Sequence, residues 1–237
     1  MSTLLLRLAA PMQSWGAGAK FDRRETQRLP TKSGVVGLLA AALGRARTDS
    51  VSDLNNLVMG VRLDQEGELL RDYHTAVPPG KQAYITNRYY LSDAVFLVGL
   101  QGEETLLASL ETALTNPVFP LFLGRRSCPP TGRLCLGLRK GKTAAQALRE
   151  EPWQASAWYR ASKPKAMKLQ LLLEAAPQSP GAFYLRDAPV SFDQARRQHG
   201  FRSLVIQSVP LPGQAGVVPV TGGDATRHDA FHDWGDC

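Results

Sequence analysis

Apolar residues recur along this chain in two rhythms, and each predicts a different element. Short apolar runs at 4–8, 59–63 and 93–100 predict strands, the last of them central in a sheet. Residues 33–43 are apolar nearly all round, which predicts a buried helix. Gly34, Gly37 and the alanines let it pack closely against a sheet, and Gly44 stops it. Residues 103–114 predict an amphipathic helix, with Leu106, Leu107, Leu110 and Leu114 on one stripe and two glutamates in its first turn. A Gly/Pro/Arg-rich loop and a strand at 134–138 follow. The order is β-α-β, a hairpin region, then β-α-β, the ferredoxin-like βαββαβ pattern of an α+β fold. Residues 150–209 read as a smaller β-rich C-terminal α/β extension with strands near 167–174 and 203–209. The last stretch, 210–237, is rich in Gly, Pro and Asp and is expected to be loose.

Composition narrows the class. At 43% hydrophobic, the 237-residue chain has enough apolar side chains for a core, which excludes wholesale disorder. Its longest apolar run, 35–43, is about half of what a bilayer requires. The N-terminus lacks the basic region of a signal peptide. Three cysteines with no CxxC pair argue against a disulfide framework and a four-cysteine zinc site, so a cytoplasmic protein with no membrane partner is expected.

The net charge of +7 is unevenly spread. Residues 1–47 carry 8 basic and 2 acidic residues, 48–115 carry 4 and 10, 116–149 carry 7 and none, and 150–237 carry 9 of each. Two basic blocks separated by an acidic one predict a molecule with one face for a polyanion and another for protein or water.

Several short motifs invite chemistry. Residues 137–143 nearly spell a phosphate-binding P-loop, but only three residues separate the glycines where four are needed, so a basic loop describes them better. His228, Asp229, His232 and Asp233 have a metal-like spacing but sit in the Gly/Asp tail, and no metal or other cofactor is expected. His199 reads as part of a turn. Tyr73, His74 and the nearby Lys81 are the types that cleave RNA without metal, and equally the types that simply bind it. Thr31 or Ser33 can cap the first helix, leaving its free N–H groups to receive a phosphate beside Arg24, Arg28 and Lys32. Arg125 and Arg126, framed by Gly124 and two prolines, form a second loop suited to gripping phosphate.

Together these motifs resemble one family, the CasD-type (Cas-five) subunits of the type I-E CRISPR surveillance complex, Cascade. The resemblance rests on residues 6–16 (around Pro11-Met12-Gln13-Ser14-Trp15-Gly16), 28–34, 71–75, 88–94 and 123–129, and more weakly on 186–192. It implies a ferredoxin-like, RRM-related (RAMP) domain over 1–149 from which a β-hairpin thumb projects at about 71–92. It also implies a noncatalytic subunit that caps the 5′ handle of the CRISPR RNA. The backbone subunit CasC and the large subunit CasA would be its neighbours, and target DNA would be reached through the assembled complex. Carried over, Gln13, Ser14, Trp15, Arg24, Arg28, Thr31, Lys32 and Ser33 would grip the handle. Arg125, Arg126 and Ser127 would complete that grip, and Tyr73, His74 and Arg88 would flank the thumb. Only twelve residues, 76–87, form the tip between the thumb motifs, so this thumb is short. The aromatic signature of RRM sheets is absent, which assigns recognition to loops. The rival expectation is a metal-independent endoribonuclease that processes precursor CRISPR RNA.

Overall fold

The structure is a computed structural model, and it describes residues 1–16, 23–77, 80, 82–164 and 166–212. The chain runs β1 (Ser2–Ala9), β2 (Met12–Gln13), β3 (Arg23–Arg24), α1 (Lys32–Ala42), α2 (Ser52–Asn55), β4 (Val58–Gln65), β5 (Glu68–Ala76) and β6 (Tyr84–Ser92). It continues through β7 (Val95–Gly102), α3 (Glu104–Thr115), β8 (Cys135–Lys140), α4 (Ala144–Glu150), α5 (Ala157–Ser162), β9 (Lys168–Glu174), β10 (Phe183–Ser191) and β11 (Gln198–Pro210).

The main sheet has seven strands in the order β10-β11-β9-β4-β7-β1-β8, and every neighbouring pair is antiparallel. Its β4-β7-β1-β8 part, with α1 and α3 as crossovers, is the ferredoxin-like arrangement that the element order predicts. Side-chain alternation explains the leucine run of β1. Leu4, Leu6 and Leu8 enter the core under α1 and α3, while Leu5 points to the opposite face, where Ala147 and Leu148 of α4 pack with Leu97 and Leu171. A strand covered on both faces favours consecutive apolar residues over strict alternation.

The C-terminal strands extend this sheet, with β9 pairing directly with β4. The joint near residue 150 is tightly held. The wholly buried Arg62 donates from Nε and Nη2 to the Asp64 carboxylate at 2.6 and 2.8 Å. Its remaining donors go to the carbonyls of Leu148, of Glu151 at 2.7 Å and of Pro152 at 2.9 Å. Among the described residues, no helix is long and apolar enough to cross a membrane.

Candidate nucleic-acid interface

A second, smaller sheet lies beside the first. β5 and β6 form a hairpin in register from Glu68↔Ser92 to Ala76↔Tyr84, at the expected position of the thumb. The other edge of β6 takes β2 at Leu91 and Ser92 and β3 at Asn87 and Arg88.

The loop after β1 is a scaffold. Gln13 is buried, and its Nε2 donates to the carbonyls of Ala94 at 2.7 Å and Leu8 at 3.3 Å. Its Oε1 accepts the indole N–H of Trp15 at 3.2 Å. Ser14 donates from Oγ to the Tyr89 carbonyl at 3.2 Å. Trp15 lies so close to α1 that a Cβ at Gly34 would stand 2.7 Å from its ring. The side chains of Gln13, Ser14 and Trp15 therefore face inward and hold the loop.

That scaffold fixes the arginine loop. The Ser14 N–H donates to the Leu123 carbonyl at 3.2 Å, the Leu123 N–H to Cys128 at 2.7 Å, and the Cys128 N–H to Arg125 at 2.9 Å. Gly124 has φ +85° and packs against the Ser14 carbonyl. Burial pushes the Cys128 thiol pKa up. From this turn, Arg125 donates from Nη2 to the Arg24 carbonyl at 2.8 Å and lays its guanidinium 4.7 Å from the Tyr90 ring centroid. Arg24 sits beside Arg88 in the parallel β3–β6 pairing. Arg24, Arg28, Arg126 and Ser127 are exposed. Nη1 of Arg125 and Nε of Arg88 are buried without a hydrogen-bond partner. The structure thus gathers Arg24, Arg88 and Arg125 from segments far apart in the sequence.

The start of α1 departs from expectation. Thr31 does cap it, accepting the Gly34 N–H at 3.2 Å. The anion seat, however, is filled from within. The Lys32 N–H donates to Oδ2 of the wholly buried Asp187 at 2.8 Å, and Asp187 also accepts from Arg202 at 2.6 and 2.7 Å. The Lys32 ammonium donates to Glu174 at 2.9 Å. Thr31, Lys32 and Ser33 are all buried. A carboxylate from β10 occupies the place in which a phosphate was expected.

The thumb motif divides. Tyr73 and His74 are neighbours on a strand, so their side chains leave opposite faces. His74 shares a face with Arg88, two positions along β6 from its partner Thr86, whereas Tyr73 points the other way and is 61% exposed. Lys81 lies outside the described residues, as does the 228–233 cluster. Among the described residues there is no group of three potential metal ligands. The near P-loop is a capped turn into α4, with reciprocal bonds between Thr143 and Gln146. Its cations are paired internally: Arg139 with Glu151 at 2.7 Å, Lys140 with Glu104 at 2.7 Å, and Lys142 with Glu150.

Residues 3–205 match the family model described as "CRISPR-associated protein (Cas_Cas5)". The chain belongs to the CRISPR-associated Cas5 family. The "CRISPR system Cascade subunit CasD" of Escherichia coli (strain K12) is 38% identical over 169 residues, covering 62% of this chain and 75% of that protein. Two solved structures share the fold. One, described as "Crystal structure of Cas protein", is 42% identical with TM-score 0.69 over 89% of this chain and 97% of the other. The second, from a "CRISPR RNA-guided surveillance complex", is 31% identical with TM-score 0.74 over 89% and 91%. In this Cas5 chain, the structure gives the weak motif at 186–192 a job: its Asp187 closes α1 and anchors Arg202. Sequence reading missed Asp187, Glu174 and Arg202, because Lys32 lies 155 and 142 residues from the two carboxylates that bind it, and Arg202 acts by holding those carboxylates. It also missed Arg71, whose Nε donates to Asn87 across the thumb at 2.9 Å.

Proposed function

We propose that this Cas5 chain is a Cascade subunit that caps the 5′ handle of a CRISPR RNA without cutting it. The observation that carries this reading is the arginine cluster. Arg24, Arg88 and Arg125 converge at β6, two of their nitrogens are buried without partners, and the exposed Arg28 and Arg126 flank the same loops. Guanidinium groups held in fixed directions match phosphate oxygens, and buried unpaired donors favour an acceptor delivered by a ligand. The thumb, whose strand β5 is exposed along both faces and which carries His74 and Arg88 on one side, would prop the RNA where handle meets spacer. CasC and CasA would cover the rest, and target DNA would be read by guide pairing in the assembled complex.

The noncatalytic reading draws support from the thumb. Metal-free cleavage needs a base and an acid at one phosphate, and Tyr73 and His74 point apart. A cytoplasmic location accords with this role.

The test is a gel shift with handle-bearing guide RNA and precursor RNA in EDTA across a salt series. Handle-dependent, salt-sensitive binding with intact precursor is expected. Metal-free cleavage lost in His74→Ala would overturn the reading.

A further inference from the structure

The far edge of the main sheet carries a surface for which the handle reading has no use. Tyr184 of β10 stands opposite Ser203 of β11, and Phe201, two residues before Ser203, shares its face by alternation. Both rings are open to solvent, Tyr184 at 59% and Phe201 at 68%. Beside them β10 holds an extra residue, because the pairing steps from Leu185↔Arg202 to Ala188↔Gly200. Within this bulge, two neighbours leave opposite faces of the strand. Asp187 turns inward to α1. Arg186 is exposed, with its guanidinium 5.9 Å from the Phe201 ring centroid and its Nε donating to the His199 carbonyl at 3.3 Å. Arg196 and Arg197 are exposed in the turn between the two strands. Among the described residues, Arg186, Arg196 and Arg197 form no salt bridge. The one acid in that turn, Asp193, uses Oδ1 to accept the Ala195 N–H at 2.9 Å. Helix α4 covers this sheet face further along, where Val209 packs with Leu148, and leaves the hairpin end bare.

Exposed rings interleaved with arginines that lack acidic partners are the means by which proteins hold unpaired bases and their phosphates. Aliphatic side chains would suit a protein partner as well; aromatic faces beside uncompensated charge suit stacked bases better. We infer that the β10–β11 hairpin is a second, sequence-tolerant platform for single-stranded nucleic acid, separate from the arginine cluster on β6.

The test uses the full-length chain with fluorescent oligothymidine and oligouridine, and with the same oligomers carrying a photo-cross-linkable 5-iodouracil. Phe201→Leu, which keeps apolar bulk but removes the ring, is expected to weaken binding about tenfold, while Phe201→Trp retains it. Arg186→Gln should weaken it and flatten its salt dependence. Cross-links should map to Tyr184 or Phe201 and persist in Arg126→Ala, whose defect would be confined to handle RNA. Which oligomer binds tighter identifies the natural strand as DNA or RNA. Unchanged affinity in Phe201→Leu, cross-links confined to the β6 cluster, or no oligomer binding would overturn the inference.

Discussion

The carbonyl oxygen of Ser14 lies where a side chain at Gly124 would begin: a Cβ there would stand 1.7 Å from it. The backbone at 124 is also in the left-handed region, at φ +85°. Gly124→Ala must therefore push the arginine loop off the β1–β2 loop. It is expected to cost roughly 3 kcal/mol and to weaken RNA binding by misdirecting Arg125. Gly141 has φ +69° with nothing within 4 Å of its added Cβ. Gly141→Ala should cost only about 1 kcal/mol. Urea titrations of the two variants give the contrast.

Lys32 and Arg126 should separate cleanly. Lys32 is buried against Glu174, so Lys32→Met should lower stability by roughly 2 kcal/mol while leaving the salt slope of RNA binding unchanged. Arg126 is exposed, so Arg126→Ala should alter stability by no more than about 0.5 kcal/mol and reduce the salt slope by about 0.7. A salt slope that falls equally in both variants would return Lys32 to the interface.

How far the sequence foretells this depends on what surrounds each residue. The ferredoxin-like strands are legible because burial on both faces writes itself as leucine runs. β10 is hidden because Asp187, Pro189 and the bulge break its alternation. α4 is hidden behind the basic turn that opens it. At the site, residue type and neighbourhood reveal the arginine loops but not whether a polar group is already satisfied. Gln13 and Lys32 look free in one dimension, yet their partners arrive from Ala94 and Asp187.

Asp187 neutralises Arg202 and satisfies the first N–H of α1 at once. Asp187→Ala leaves the buried Arg202 guanidinium with only the more distant Glu174, at 3.4 Å, and should cost roughly 3 kcal/mol, read as a lower denaturation midpoint. Asp187→Asn, which keeps the shape and an acceptor, should cost less.

Cys128 is buried and its thiol pKa is raised by that burial. At mildly alkaline pH it should stay protonated in the folded protein and resist iodoacetamide, then react readily once urea opens the fold. Peptide-resolved mass spectrometry checks this. Rapid native labelling of Cys128 would mean that the arginine loop opens in solution.

The carboxylate seated on α1 also bears on what the protein ignores. An open helix end accepts many small anions, and cells are full of inorganic phosphate and free nucleotides. Here that general-purpose berth is occupied by Asp187, so the groups left in this region to meet an anion are separate arginines. A solitary phosphate gains little from any one of them. On the proposed reading, an RNA strand touching several at once would gain from each, so discrimination would come from valency, and the abundant monomers of the cell would be poor competitors for the chain.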